Sequence, residues 1–164
     1  HAVFKSLLFL NAGAVEYATG TRDLGKLGGL NRALPVTGAT SMIGSMSIAG
    51  LPPFNGFWSK LIIVLACVEA GYYGFAAIAV LISIVTLAYQ LKVQRMAFFA
   101  ELPKALPGVI SGALRGPGRE PRLMSLAMIL LAAACIALSL VVLGGFRDPW
   151  LIGAAQQTLS AGPF

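Results

Sequence analysis

Ala49-Gly50-Leu51-Pro52-Pro53-Phe54-Asn55-Gly56-Phe57-Trp58-Ser59-Lys60 lies between two uncharged apolar runs, and its reading decides the fold. A proline has no backbone N–H to continue a helix, and glycine loosens the chain around it. In lipid, freed backbone groups and a charged side chain are tolerated only where protein or water satisfies them. The stretch therefore predicts a helix broken at membrane depth by Pro52, Pro53 and Gly56, with Lys60 beside the break as the strongest functional candidate. The plainer alternative is that Pro52-Pro53 ends one span in a loop and Lys60 snorkels from the first turns of the next.

Outward from this point the chain is apolar almost throughout. Of 164 residues, 57% are hydrophobic and 11% charged, and the mean hydropathy is +0.82, a balance that excludes an ordinary water-soluble domain. A bilayer core about 30 Å thick needs roughly 20 apolar residues per helix. Uncharged or nearly uncharged runs of that kind lie at about 2–19, 34–51, 54–71, 72–91 and 123–143. The fold class is therefore an all-α membrane protein of about five transmembrane helices, one of them broken. Ala70-Gly71-Tyr72-Tyr73-Gly74 leaves room for only a tight hairpin between the third and fourth runs.

The net charge of +6 is confined to the connections, which disfavours nucleic-acid binding. Residues 20–33 carry three basic side chains, whereas residues 92–122 carry six, with prolines at 103, 107, 117 and 121. The tendency of basic loops to stay inside places the 101–122 connection in the cytoplasm. The tail, 144–164, opens with Arg147-Asp148-Pro149-Trp150, an interfacial stop with an aromatic anchor. Cys67 and Cys135 sit alone in apolar runs and read as small packed residues, neither a disulfide nor a metal pair. The first residue is His1, inside an apolar run and without a signal-peptide flank, as expected of the C-terminal piece of a longer protein.

Ionisable residues inside the apolar runs are functional candidates by default. His1 and Lys5 are four residues apart and share a helix face. Glu16, eleven residues on, returns to within about 20° of the same direction, about 16 Å further along the axis. The three form a polar stripe on an otherwise apolar helix, expected to face the bundle interior, with interfacial placement of His1 and Glu16 as the alternative. Burial brings the charged and neutral forms of lysine close in energy, which a proton carrier requires and arginine cannot offer. Glu69 lies about 180° from Lys60 and reads as interfacial. Thr37-Gly38-Ala39-Thr40-Ser41 and Gly44-Ser45-Met46-Ser47 favour close helix packing. Gly28-Gly29 neither follows a strand nor opens a nucleotide-binding helix.

Three motifs in order carry a resemblance: His1-Ala2-Val3-Phe4-Lys5-Ser6-Leu7-Leu8-Phe9-Leu10 with Gly13, then Arg22-Asp23-Leu24-Gly25-Lys26-Leu27-Gly28-Gly29-Leu30, then Ser47 to Lys60. They resemble the antiporter-like proton-conducting subunits of respiratory complex I, multisubunit sodium/proton antiporters and membrane-bound hydrogenases. The likeness covers residues 1–100, with Tyr89 to Met96 similar to the basic end of the next family helix; residues 101–164 match by hydropathy alone.

The resemblance implies the C-terminal half of a proton-conducting domain within a larger inverted-repeat bundle. It implies a hydrated axis in which Lys60 matches the buried residue of the broken helix, and Lys5 with His1 match the preceding helix. Glu16 matches no functional position of the family. The implied function is proton translocation in a redox-driven complex of the NADH/quinone oxidoreductase or hydrogenase kind, as a subunit without a catalytic site. The alternatives are a sodium/proton antiporter subunit and a non-conducting assembly subunit. No cofactor or metal is expected in this subunit, quinone, flavin and iron-sulfur centres belonging to partners. The implied setting is a multi-pass protein of the cell (inner) membrane, in contact with lipid, other membrane subunits, protons and, in the antiporters, sodium.

Overall fold

The computed structural model describes residues 1–101 and 122–145, with side chains up to residue 142. The basic connection at 101–122 and the tail at 144–164 fall, but for their edge residues, outside the described residues. Among the described residues all regular structure is helical.

α1 spans Ala2–Thr19 and stops where Gly20 takes the left-handed conformation, φ 69°, its N–H reaching the Glu16 carbonyl at 2.7 Å. In the loop that follows, the Asp23 carboxylate accepts from the Gly25 N–H at 3.0 Å and opens a 3-10 turn, Leu24–Lys26. α2 is a single turn, Leu30–Ala33. α3, Pro35–Ala49, starts on a proline that loses nothing at a position where the N–H has no helical partner. α4 is Asn55–Glu69 and α5 is Tyr73–Gln94, which runs on as a π-helical turn through Phe99. α6 is Arg122–Gly145.

Two stretches, Tyr73–Phe99 and Arg122–Val142, are each long and apolar enough to cross a bilayer. α3 and α4 have 15 residues each, about 22 Å apiece and short of the hydrocarbon thickness. Their directions explain this. Gly38 of α3 packs on Phe98, Ser41 and Ser45 bond Gln94, and Ala49 and Gly50 share a cavity with Val80, Ser83 and Leu87. Thus α3 runs antiparallel to α5, from its C-terminal end to its middle. α4 then leads into the tight turn before Tyr73, so it runs antiparallel to the N-terminal half of α5. The runs counted separately at 34–51 and 54–71 are therefore two halves of one broken helix, laid end to end along α5. The break lies near the midpoint of the 27-residue Tyr73–Phe99 helix.

α1 and α6 flank this pair. Asn11 meets Thr40, Leu8 meets Gly44, and Phe4 approaches Gly56, so α1 descends α3 to the level of the break. Met128, Cys135 and Ser139 of α6 follow α3 in the same direction, beside Thr40, Ser47 and Pro53. Phe4, Leu7, Ala14, Met128, Ala132 and Cys135 form the main core, and Val15, Leu27, Leu30, Leu34 and Phe98 a second one at the far end. Small residues let the backbones close in: a Cβ on Gly44 would stand 3.0 Å from Leu8 Cδ2. The outer face of α5 stays apolar and open, with Ile78, Leu81, Ile82, Ile84 and Val85 all exposed, as for a surface covered by lipid or neighbouring helices.

Candidate functional site

The break begins at Gly50, whose φ of 79° only glycine adopts without strain; its N–H closes onto Met46 and Ser47 carbonyls and ends α3. The chain turns through Leu51, a cis Pro52-Pro53 bond and Phe54 before α4 starts. Ser139 Oγ of α6 donates to the Pro53 carbonyl, and Trp58 Nε1–H donates to Ser139 Oγ at 3.1 Å. The break and the first turn of α4 are thus tied to one serine of α6.

Lys60 folds back over this turn. Its Nζ donates to the Ile48 carbonyl at 3.0 Å and to the Ala49 carbonyl at 2.9 Å. Both belong to the last turn of α3, whose carbonyls lack helical partners and carry the negative end of the helix dipole. A Cβ on Gly50 would lie 2.6 Å from Lys60 Cδ, so glycine also leaves the lane in which the lysine stem lies. The half-buried Lys60 lines a cavity of about 270 Å³ with Ala49, Gly50, Ser83 and Leu87.

The polar stripe of α1 is placed differently from its expectation. Phe4, Leu7, Asn11, Ala14 and Val15 take the packed face, because those side chains fill the core, and His1 and Lys5 are exposed beside it. The His1 ring stands edge-on to Phe4, with centroids 5.1 Å apart. Since Phe4 reaches Gly56, both His1 and Lys5 start α1 at the depth of the break. Glu16 lies at the other end, ion-paired with Arg22 at 2.9 Å. Hydrogen bonding to Glu16, then its charge, pushes the Arg22 guanidinium pKa up. Glu69 is exposed at the end of α4.

One polar cluster was missed by reading charges alone. Thr40 Oγ1 donates to Asn11 Oδ1 at 2.7 Å, joining α1 to α3. Gln94 Nε2 donates to Ser41 Oγ at 2.7 Å and to Ser45 Oγ at 2.8 Å, joining α5 to α3, and Ser45 Oγ meets Gln90 Oε1 at 3.5 Å. A cleft of about 650 Å³ opens between these three helices, with Glu16 and Arg22 also on its wall. The available signal was two amides four residues apart, Gln90 and Gln94, at the end of an apolar helix, opposite hydroxyls with the same spacing.

Residues 1–86 match the family model described as NADH:quinone oxidoreductase/Mrp antiporter, TM. The chain belongs to this family. It is 34% identical over 160 residues to NADH-quinone oxidoreductase subunit N of Desulforudis audaxviator, covering 97% of this chain and 32% of that protein. It is 40% identical over 118 residues to Na(+)/H(+) antiporter subunit A1 of Staphylococcus haemolyticus, covering 65% of this chain and 15% of that protein. Among solved structures, the Mrp complex from Dietzia sp. DQ12-45-1b contains a chain that superposes with a TM-score of 0.73 at 30% identity, covering 85% of this chain and 33% of that one. The chain spans about a third or less of the length of these relatives. The described helices are thus part of an antiporter-like membrane protein of this family.

Proposed function

We propose that the protein moves protons through Lys60, Lys5 and His1 as part of a subunit of a redox-driven membrane complex, either NADH/quinone oxidoreductase-like or hydrogenase-like. The observation that carries this reading is the Lys60 ammonium held on two carbonyls of a broken helix, beside the middle of a helix long enough to cross a bilayer. A charge at that depth costs roughly 3 kcal/mol on insertion scales, which a purely architectural subunit has no reason to bear. Helix break, cavity and lysine coincide, as they do where membrane proteins bind and release ions. His1 and Lys5 flank Phe4, which approaches Gly56, one turn of α4 before Lys60. Lys60 takes up a proton when a neighbouring charge makes it favourable and gives it up when the next lysine becomes charged. The redox groups, a quinone, flavin or iron-sulfur centre, belong to partner subunits in this reading, and the energy reaches Lys60 as a change of charge.

A second reading, a subunit of a multisubunit sodium/proton antiporter, is favoured by the likeness to antiporter subunit A1 and to the Mrp complex. One experiment tests both. The complete assembly carrying Lys60→Ala is placed in inverted vesicles, and proton uptake is followed with a pH dye during substrate oxidation and, separately, after a sodium pulse. Loss of substrate-driven uptake in an assembled complex supports the first reading, and loss of sodium-driven uptake alone supports the second. Uptake at the normal rate in both overturns the role of Lys60.

A further inference from the structure

Gln94 is 2% exposed, yet among the described residues its Oε1 has no hydrogen-bond partner. Its Nε2 is fully used, on Ser41 and Ser45 at 2.7 and 2.8 Å, so the amide cannot turn to satisfy the carbonyl without stranding its donors. A buried acceptor left this way costs about 1–3 kcal/mol, a large share of a domain's stability. The side chain also lines the 650 Å³ cleft, whose walls are otherwise mostly apolar: Leu8, Phe9, Val15, Leu27, Val93 and Phe98. Polar groups converge on one patch of it, where Gln90, Ser41 and Ser45 join Gln94. A buried water needs two to four polar partners and enough room, and this patch offers both.

We propose that Gln94 is a water-anchoring residue, holding ordered water on the Ser41–Ser45–Gln90 patch of the α1–α3–α5 cleft, and that the Glu16–Arg22 ion pair on the cleft wall controls water's access to it. The patch has a direction. Thr37, Ser41 and Ser45 follow each other at one-turn spacing on α3, and the next turn ends in the Ile48 and Ala49 carbonyls that hold Lys60. Water on Ser45 therefore stands about one helical turn from the Lys60 anchor. Glu16 and Arg22 line the same cleft from the C-terminal end of α1 and the loop after it, where both retain solvent exposure. Breaking their pair frees the Arg22 side chain, 83% exposed, to leave the wall. Resting on the proton-moving reading of Lys60, this gives Glu16 a role on access rather than on the lysine line itself.

The test reads hydration and is independent of pumping. In the complete assembly in sealed vesicles, Cys67 and Cys135 are replaced by Ala, and Ser45→Cys is exposed to a small cationic methanethiosulfonate from each side separately. Ser41→Cys, one turn away, serves as the second variant, and Ile82→Cys on the apolar outer face of α5 as the dry reference. A hydrated patch is modified from one side at least about ten-fold faster than Ile82→Cys, since thiolate forms in water and not in apolar surroundings. Glu16→Gln raises that rate several-fold and Gln94→Leu lowers it toward the reference. If both serine positions react no faster than Ile82→Cys, the cleft is dry or filled by a lipid chain or protein segment, and the proposal is overturned. If they react fast but Glu16→Gln leaves the rate unchanged, the gate is overturned. Failure of the lysine reading appears elsewhere, as undiminished proton uptake in Lys60→Ala with these labelling rates intact.

Discussion

Lys60 Nζ lies 2.9 Å from the Ala49 carbonyl oxygen, so the charged group of α4 serves as the C-terminal cap of α3. A lysine in this position has two physical roles at once. Its charge offsets the negative end of a short helix and, in the proposed function, its proton is the species moved. Loss of that proton weakens the cap, so occupancy and the geometry of the break are coupled.

The two roles separate by substitution. Lys60→Arg retains a permanent cation over the Ile48 and Ala49 carbonyls but cannot release a proton at any accessible pH. The complex is expected to assemble with near-normal thermal stability while proton uptake falls to less than about a tenth. Lys60→Ala loses both properties and costs about 1–3 kcal/mol in addition, because two orphan carbonyls lose their donor. Uptake measured with a pH dye, beside a melting curve, distinguishes the two. Normal pumping in Lys60→Arg would show that reversible protonation at this site is not needed.

The position of the break was legible because Pro52, Pro53 and Gly56 are local signals, each acting on its own backbone. The helices were legible from runs of uncharged residues, since lipid penalises every charge in the same way. The same signals predict that 34–51 and 54–71 are halves of one broken helix, although each run counted alone looks like a short span. The pairing of side chains between helices was not legible. The Asn11–Thr40 and Gln94–Ser41 pairs span 29 and 53 residues, and no local periodicity records which amide meets which hydroxyl. Nor does spacing decide which face of α1 packs: it aligns His1, Lys5 and Glu16, but Phe4 and Leu7 take the interior because they fit against α3, α4 and α6.

The Asn11–Thr40 pair ties α1 to α3 where both are buried. Thr40→Val keeps the shape and removes the donor, leaving Asn11 Oδ1 without it. A loss of about 1–3 kcal/mol is expected, whereas Thr40→Val with Asn11→Leu loses less, because no acceptor is then stranded. A double-mutant cycle on thermal or denaturant unfolding of the purified complex measures the coupling. A double variant as unstable as the sum of the singles would mean that the bond contributes nothing.

The Glu16–Arg22 pair is expected to behave in the opposite way. With side-chain exposures of 43% and 83%, it holds its geometry in solvent and is screened by salt. Arg22→Gln should leave the melting temperature unchanged, since exposed pairs contribute little to stability. A drop of several degrees in melting temperature would instead make the pair a structural clamp and would count against its role as a gate.

Close packing at the break yields the sharpest steric prediction. A Cβ on Gly56 would collide with the carbonyl oxygen of Ser47, a backbone atom that cannot rotate aside, and would also touch Phe4 at 3.7 Å. Gly56→Ala must therefore push α4 away from α3 and α1, which moves Lys60 off the Ile48 and Ala49 carbonyls. Over-packing of this kind costs roughly 1–3 kcal/mol. Gly74→Ala is the matched control, since nothing lies within 4 Å of the added methyl there, and it should be neutral or slightly stabilising. Assembly yield, melting temperature and proton uptake are measured on both. Reduced uptake in Gly56→Ala with the complex still assembled, beside normal uptake in Gly74→Ala, would show that transport depends on how closely the two half-helices approach.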